Sequence, residues 1–469
     1  MNPAGDTPAG VFLFFLMNEM VQMTLLHSCL RMLACAPLLL PLLSSGAAPA
    51  HEIVAYYPGW KSAAFPVTRQ NINPHHVSVI QYAFADICWD GRHGNPDPAA
   101  GGVKPCLDEK GRPASPANGT LLLAAPQADA ANLQALAALK KENPALRVLL
   151  SAGGWDWSNR FSDMAHTPAT RRAFIASSLA MLRRFQLDGL DIDWEHPTAV
   201  GVPCSAGHVC NRPADKQNYI ALARELRSAF DLAGKADGKH YLITIAAGAH
   251  SGFVKDRDGA DSTKWIVELA RSLDWINLMT YDYHGVWDKN NGAVAPLYAD
   301  PADPAAATGF DADTTVSRFL AAGVAPAKLV LGMPFYGYGW SACAAGPRGD
   351  GLYQACGGAA AGNADTPTFS YAHLVEQGYL VPGVDGQPER GGNGFTRHWN
   401  SAAKVPYLYN PASQVFISYD DTQSLREKNR YIKAKGLRGG MFWELSGDDA
   451  GHRLGQALAA DLLAPEERR

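Results

Sequence analysis

The sequence predicts an α/β fold: a (β/α)8 barrel with a small α+β insertion between its seventh and eighth strands. Three observations point there. After residue 50, short apolar β-branched runs alternate with amphipathic stretches, a pattern that calls for a parallel sheet covered by helices. Residues 51–469 run well beyond the roughly 250 of an ordinary barrel of this kind, so the excess sits in insertions. Acidic residues crowd the end of the fourth run, where such barrels place their chemistry.

The eight expected strands are Ile53–Tyr57, Val77–Ala85, Arg147–Ala152, Leu187–Glu195, Leu242–Ala247, Trp275–Tyr281, Leu329–Phe335 and Gly439–Glu444. Helical patterns between them include Ala128–Lys141, Ala169–Phe185, Lys216–Leu232, Thr263–Ser272, Ala312–Ala322 and Thr422–Lys435. The insertion is expected over 338–411, with the barrel over 51–337 and 412–469. It is rich in Gly and has short strand-like runs at Thr368–Tyr371 and Val405–Tyr409; Trp399, Tyr407 and Tyr409 argue against a disordered loop. A second insertion, Cys88 to Pro126, is rich in Gly and Pro and reads as a long loop. No internal repeat is visible, and no linker leads to a separate binding module.

Residues 1–50 read as a targeting segment. Arg31 precedes the apolar run Leu33–Leu43, and Ala48-Pro49-Ala50 offers a small-residue cleavage site, together the marks of a secretory signal peptide. The run is too short to span a bilayer. The stretch before it is longer than a signal peptide needs, so Met23 or Met32 is an alternative start. A lipid anchor at Cys35 is disfavoured, because the apolar run continues past it. Cys88, Cys106, Cys204, Cys210, Cys343 and Cys356 remain. An even number in an exported chain suggests disulfides, and sequence neighbours would pair as 88–106, 204–210 and 343–356. Fifteen pairings are allowed. The expected location is extracellular or periplasmic.

Net charge is −4 with a pI near 6.4. No basic run suggests nucleic acid. The reading expects no cofactor, no metal, no membrane or nucleic-acid partner, and a monomer. A neutral substrate suits this balance, as many other ligands would. The eleven Trp, 17 Tyr and 17 Phe fit either a core or a groove lined with flat apolar rings.

The chemistry concentrates in Leu187-Asp188-Gly189-Leu190-Asp191-Ile192-Asp193-Trp194-Glu195. On a strand, alternate residues share a face, so Asp191, Asp193 and Glu195 should point one way and Leu190, Ile192 and Trp194 the other. A barrel interior cannot hold three ionised carboxylates so close; at least one keeps a proton or their pKa values split. That is one way to obtain a carboxylic acid that is neutral near pH 7. A magnesium site is the competing reading, but such sites usually take phosphate to complete them and no phosphate-binding Gly loop is evident.

DGLDIDWE matches the DGxDxDxE signature of family-18 glycoside hydrolases, the chitinases. Ser151-Ala152-Gly153-Gly154-Trp155 resembles that family's SxGG motif, Met279-Thr280-Tyr281-Asp282 its MxYD motif, and Gly332–Gly337 its seventh strand; Trp443 stands where the family has a tryptophan at the end of the eighth. The resemblance runs from about residue 52 to 463 and is closest to bacterial and insect-type members with the α+β insertion. It implies a TIM barrel that cleaves β-1,4 links between N-acetylglucosamine units of chitin or chitooligosaccharides. Glu195 would be the acid. Asp193 would orient the substrate's acetamido group, which itself attacks the anomeric carbon. Asp191 would share a proton with Asp193, and Tyr281 would donate to the acetamido oxygen. Asp282 and Trp443 would hold the distorted sugar. Trp155, Tyr57, Phe84, Met279 and Tyr336 are further candidate contacts; Trp157, Trp287 and Trp340 are candidate groove aromatics. Asp188 reads as a brace for the strand, and Ser151, Gly153 and Gly154 as structural. Two departures stand out: Ser446 and Asn400 occupy positions where relatives often have Asp. A lectin that has lost the acid and an endo-β-N-acetylglucosaminidase are the alternatives. The intact Glu195 disfavours the first, and the insertion, which implies a deep groove, disfavours the second.

Overall fold

The computed structural model describes residues 51–463, apart from 198, 200, 202, 205–206, 257–261 and 384–386. The expected signal segment and alternative start sites therefore lie outside the described residues.

Eight parallel strands close into a barrel: β1 (Glu52–Pro58), β2 (Val79–Cys88), β3 (Arg147–Gly153), β4 (Gly189–Asp193), β5 (Leu242–Gly248), β6 (Trp275–Met279), β7 (Leu329–Pro334) and β8 (Gly439–Trp443). β1 closes the ring by pairing with both β2 and β8, with Val54 opposite Val79 and Glu52 opposite Gly439. The seam needs a residue without a side chain, since a Cβ at Gly439 would fall 1.9 Å from the Glu52 carbonyl oxygen.

Period-two alternation sorts the side chains. Val54 and Tyr56 of β1 face a small inner core with Val79, Leu149, Trp275, Val330 and Met441. Ile53, Ala55 and Tyr57 face the larger outer core between strands and helices. Two helices coincide with the expected spans, Ala312–Ala322 and Thr422–Lys435. Their ends are written in polar chemistry: Asp311 and Asp421 cap the first turns, and Gly323 and Gly436 end the helices in left-handed conformation.

The fourth strand is shorter than expected. β4 stops at Asp193, because its pairing with β3 ends at Gly153 and with β5 at Ile245. Glu195 therefore sits just beyond the strand, where strict alternation no longer governs it.

Beyond β7 the chain forms a second, six-stranded sheet that includes Tyr336–Ser341, Thr396–Asn400, Val405–Asn410 and Val415–Ser418. This sheet reaches past both ends of the 338–411 stretch. Trp340, Tyr407, Tyr409 and Phe416 form its core. The stretch from Cys88 to Pro126 is more structured than a loop: Arg92–Gly94 pairs with Val103–Pro105, and Thr120–Leu123 adds antiparallel to the end of β2. Leu121–Leu123 is too short a run to stand out among the surrounding Gly and Pro. All three expected disulfides are present, 88–106, 204–210 and 343–356.

Candidate active site

The site begins with a close approach between β3 and β4. Gly153 and Gly154 have φ of +106° and +76°, a region open mainly to glycine. A Cβ on Gly153 would lie 2.3 Å from the Asp193 carbonyl oxygen, and one on Gly154 would strike the Phe84 ring. The turn lets the Gly154 amide donate to the Asp193 carbonyl at 2.9 Å, and Ser158 Oγ receives the Glu195 amide at 2.7 Å. On the opposite face Trp194 is fully buried, stacked on Phe161. The strand end is thus pinned from both sides, which fixes the backbone that carries Asp193 and Glu195.

Asp191 is completely buried in the barrel. Tyr56 and Ser151 donate hydroxyl hydrogens to its Oδ2 at 2.9 and 2.7 Å, and Thr244 donates to Oδ1 at 2.5 Å. Burial raises its pKa and these three donors pull it part of the way back. Asp193 is buried with no such help: its Oδ1 has no hydrogen-bond partner. Burial and the charges of Glu195 and Asp191 hold its carboxyl well above the ordinary range. Glu195 is nearly enclosed, with 15% of its side chain exposed. Burial, then Asp282 and Asp156, push it up to about 8. The arrangement thus holds a neutral carboxylic acid near pH 7 above two carboxyls that compete for protons.

Tyr281, Met279, Phe84 and Trp443 cap the inner core. Tyr281 keeps its proton throughout the physiological range, since burial and the surrounding Asp193, Asp282 and Glu195 raise its pKa far above 10. Asp282, at φ +57°, accepts from Tyr336 at 2.6 Å. Its carboxyl is raised by burial and lowered in part by Tyr336 and Tyr338. Both tyrosines come from the first strand of the second sheet, so that sheet completes the acidic wall. Trp443 stacks on Phe84 with centroids 5.7 Å apart. Trp60, which is 59% exposed, stacks on Phe84 at 6.0 Å and leans on Trp443. Trp155 is largely exposed, with Gly201 against its ring.

The structure brings together Asp191, Asp193, Glu195, Tyr281, Asp282, Tyr336, Met279, Phe84 and Trp443. It excludes two expected groove residues. Tyr57 points into the outer core, stacks on Tyr82 and donates to the Phe65 carbonyl; alternation sends Tyr56 inward in its place. Trp340 is buried in the second sheet against Phe416. Trp157 is half-buried, edge-on to His93, and Trp287 is exposed against Tyr338. Asp188 lies at the base of β4, where it accepts the Val148 amide and pairs with Lys140. Asn400 donates to Asp300 and caps its own turn. Ser446 joins Lys61 and Glu444. Sequence reasoning missed Tyr56, Thr244, Ser158, Trp60 and Tyr338. Alternation along β1 could have found Tyr56; the others depend on which strands become neighbours. Among the described residues, no group of His, Cys, Asp and Glu is arranged to hold a metal ion.

Residues 52–448 match the model of the glycosyl hydrolases family 18. The chain is 43% identical over 439 residues to Chitinase A1 of Niallia circulans, covering 89% of this chain and 59% of that protein. It is 34% identical to Chitotriosidase-1 of Mus musculus, over 67% of this chain and 61% of that one. Among solved structures, the ChiA74 chitinase of Bacillus thuringiensis superposes with a TM-score of 0.78 at 38% identity, covering 90% of this chain and 71% of that chain. A family 18 N-acetylglucosaminidase from Paenibacillus barengoltzii gives 0.66 at 32% identity, covering 88% of this chain and 100% of that one. The chain spans about three-fifths of the length of the curated relatives it matches.

Proposed function

The chain belongs to family 18 of the glycosyl hydrolases, and from that premise we propose that it cleaves β-1,4 links between N-acetylglucosamine units of chitin and chitooligosaccharides, with retention of configuration. The observation that carries this reading is Glu195: a nearly enclosed carboxyl held up to about 8, above two buried aspartates and beside a platform of aromatic rings. It is the proton donor to the glycosidic oxygen. Asp193 turns its unpaired Oδ1 to the acetamido N–H of the substrate, so that the acetamido oxygen can attack the anomeric carbon. Tyr281 donates its hydroxyl to that oxygen. Asp191, held in place by the Tyr56, Ser151 and Thr244 hydroxyls, shares a proton with Asp193 and helps cycle Glu195 from acid to base. Asp282 holds the distorted sugar and Trp443 lies beneath it. Water then opens the ring intermediate, with Glu195 as base.

Two expectations follow from the geometry. The acid must be protonated to start the reaction, so kcat falls as pH rises through about 8; a kcat profile flat from pH 6 to 10 contradicts the assignment. Trp60 extends the aromatic platform. Trp60→Ala should raise KM about three- to tenfold for longer oligomers, with little change in kcat, the size of one lost stacking contact.

The direct test uses fluorogenic glycosides of one, two and three N-acetylglucosamine units with the purified, oxidised chain. Release from the two- or three-unit substrate supports the reading; no release refutes it. Cello-oligosaccharides lack the attacking acetamido group and should remain intact. The three disulfides, which persist in oxidising compartments, support a site of action outside the cytoplasm.

A further inference from the structure

Two residues beyond Asp282, His284 is buried with each ring nitrogen against a carboxylate. Its Nδ1 lies 3.0 Å from Asp288 Oδ2 and its Nε2 3.0 Å from Asp303 Oδ2. A carboxylate accepts and does not donate, and a neutral imidazole carries one N–H. Both contacts are therefore hydrogen bonds only when the ring is an imidazolium. The ring has little room to turn away, since a Cβ at Gly292 would fall 2.5 Å from His284 Cγ. Burial lowers the pKa of His284, but the hydrogen bond and charge of Asp303, with Asp288, outweigh it and leave it raised.

The segment this ring ties together adjoins the candidate site through Asp282, which accepts from Tyr336. It starts at Asp282, carries the exposed Trp287 against Tyr338, and is stitched to the second sheet. The Tyr353 hydroxyl donates to Asp300 at 2.8 Å and Asn400 donates to the same oxygen at 2.7 Å. The Val294 amide donates to Ser418 and the Leu297 amide to the Ala403 carbonyl. The charged groups that act on the ring are Asp303 and Asp288; behind Asp303 stand Asp300 and Tyr353, with the Arg348 charge on Asp300, and Asp311 faces the neighbouring Tyr283.

We infer that His284 is a positioning residue, a proton-dependent latch that fixes the 282–303 segment and couples substrate binding, rather than the proton transfer itself, to pH. Because the folded-state pKa is raised, the latch is fully engaged below the ordinary histidine range and is lost as pH rises through the raised value. One of the two bonds then disappears, and the lone pair of a ring nitrogen faces a carboxylate. The inference rests on the proposed hydrolase reading only for the identity of the ligand.

The test uses the full chain with Glu195→Gln, which removes turnover and the titration of the acid. Histidine ring NMR follows protonation, and the indole N–H of Trp287, assigned by its loss in Trp287→Phe, reports the segment without ligand. Chitotetraose binding is measured in parallel across pH. One ring resonance, absent in His284→Gln, should titrate above the ordinary histidine range, and the Trp287 signal should shift through the same pH. Dissociation constants should rise roughly fivefold there, the scale of one charged hydrogen bond partly transmitted. Asp303→Asn, which keeps the ring, should move all three midpoints to lower pH. A His284 resonance that titrates at or below the ordinary range overturns the latch, as does a Trp287 signal indifferent to both variants. Absence of chitotetraose binding at every pH counts against the hydrolase reading, while the two NMR signals still decide the latch.

Discussion

Replacing Glu195 by Gln is expected to lower kcat by about 10²–10⁴-fold or more, the value of a positioned general acid, while leaving the fold intact. Gln preserves the shape and removes the carboxyl that burial, Asp282 and Asp156 push up to about 8. The same change should raise stability at alkaline pH. A folded-state pKa above the free value means that the native state holds a proton that the unfolded chain has released. Between the ordinary glutamate range and about 8, stability therefore falls as pH rises. Gln does not titrate, so the variant escapes that loss and should melt roughly 2 °C higher at pH 8. Loss of turnover together with a gain in melting temperature is the signature of a strained catalytic acid. Turnover near the wild-type level, or a lower melting temperature at pH 8, speaks against it.

Asp193→Asn is expected to cost roughly 10²–10³-fold in kcat, the scale of one group lost from a preorganised charge-stabilising site. Asp193 is fully surrounded, lacks a partner for Oδ1, and stands between Asp191 and Glu195. Asn keeps the volume but cannot take the negative charge that would stabilise a developing cation on the acetamido group. It also removes a like charge from beside Glu195, so the alkaline limb of the kcat profile should move to lower pH. Carboxyls that share a site titrate as a unit, and the profile reports the pair. A rise in KM with kcat and its pH limb unchanged would place Asp193 in simple binding and not in the chemical step.

The two variants separate roles that proximity alone would merge. Asp191 is held by Tyr56, Ser151 and Thr244, so it is anchored and cannot reach substrate. Asp193 is unanchored at Oδ1 and adjacent to the groove. Glu195 lies past the end of β4, where the backbone is fixed by Ser158. On the proposed mechanism, the same carboxyl chemistry would therefore do three things according to how many donors each group already has.

Much of this could be read from the sequence. Strand and helix periods, Asp at helix starts and Gly at their ends are local signals, and they placed the eight β/α units and the helices Ala312–Ala322 and Thr422–Lys435. The DGLDIDWE run singled out Asp191, Asp193 and Glu195 as candidate acids, because three carboxyls on apolar alternation have no cheap structural explanation. The disulfide neighbours were legible for a similar reason: short sequence separations make loops easy to close. Tyr57 and Trp340 were misplaced because an aromatic residue in a strand carries no label for which of two apolar environments it enters. Barrel closure and the second sheet made that choice, sending Tyr56 inward and Trp340 into another core.

The sequence by itself determined which residues could do the chemistry and the order of the units that carry them. Only the tertiary structure decided how acidic each one is, which hydroxyls anchor Asp191, how Trp60 comes to stand on Phe84 and Tyr336 on Asp282, and how His284 comes to lie between Asp288 and Asp303. Local periodicity depends on neighbours within a few residues, whereas burial, like-charge repulsion and shared protons depend on groups brought together from strands far apart in the chain.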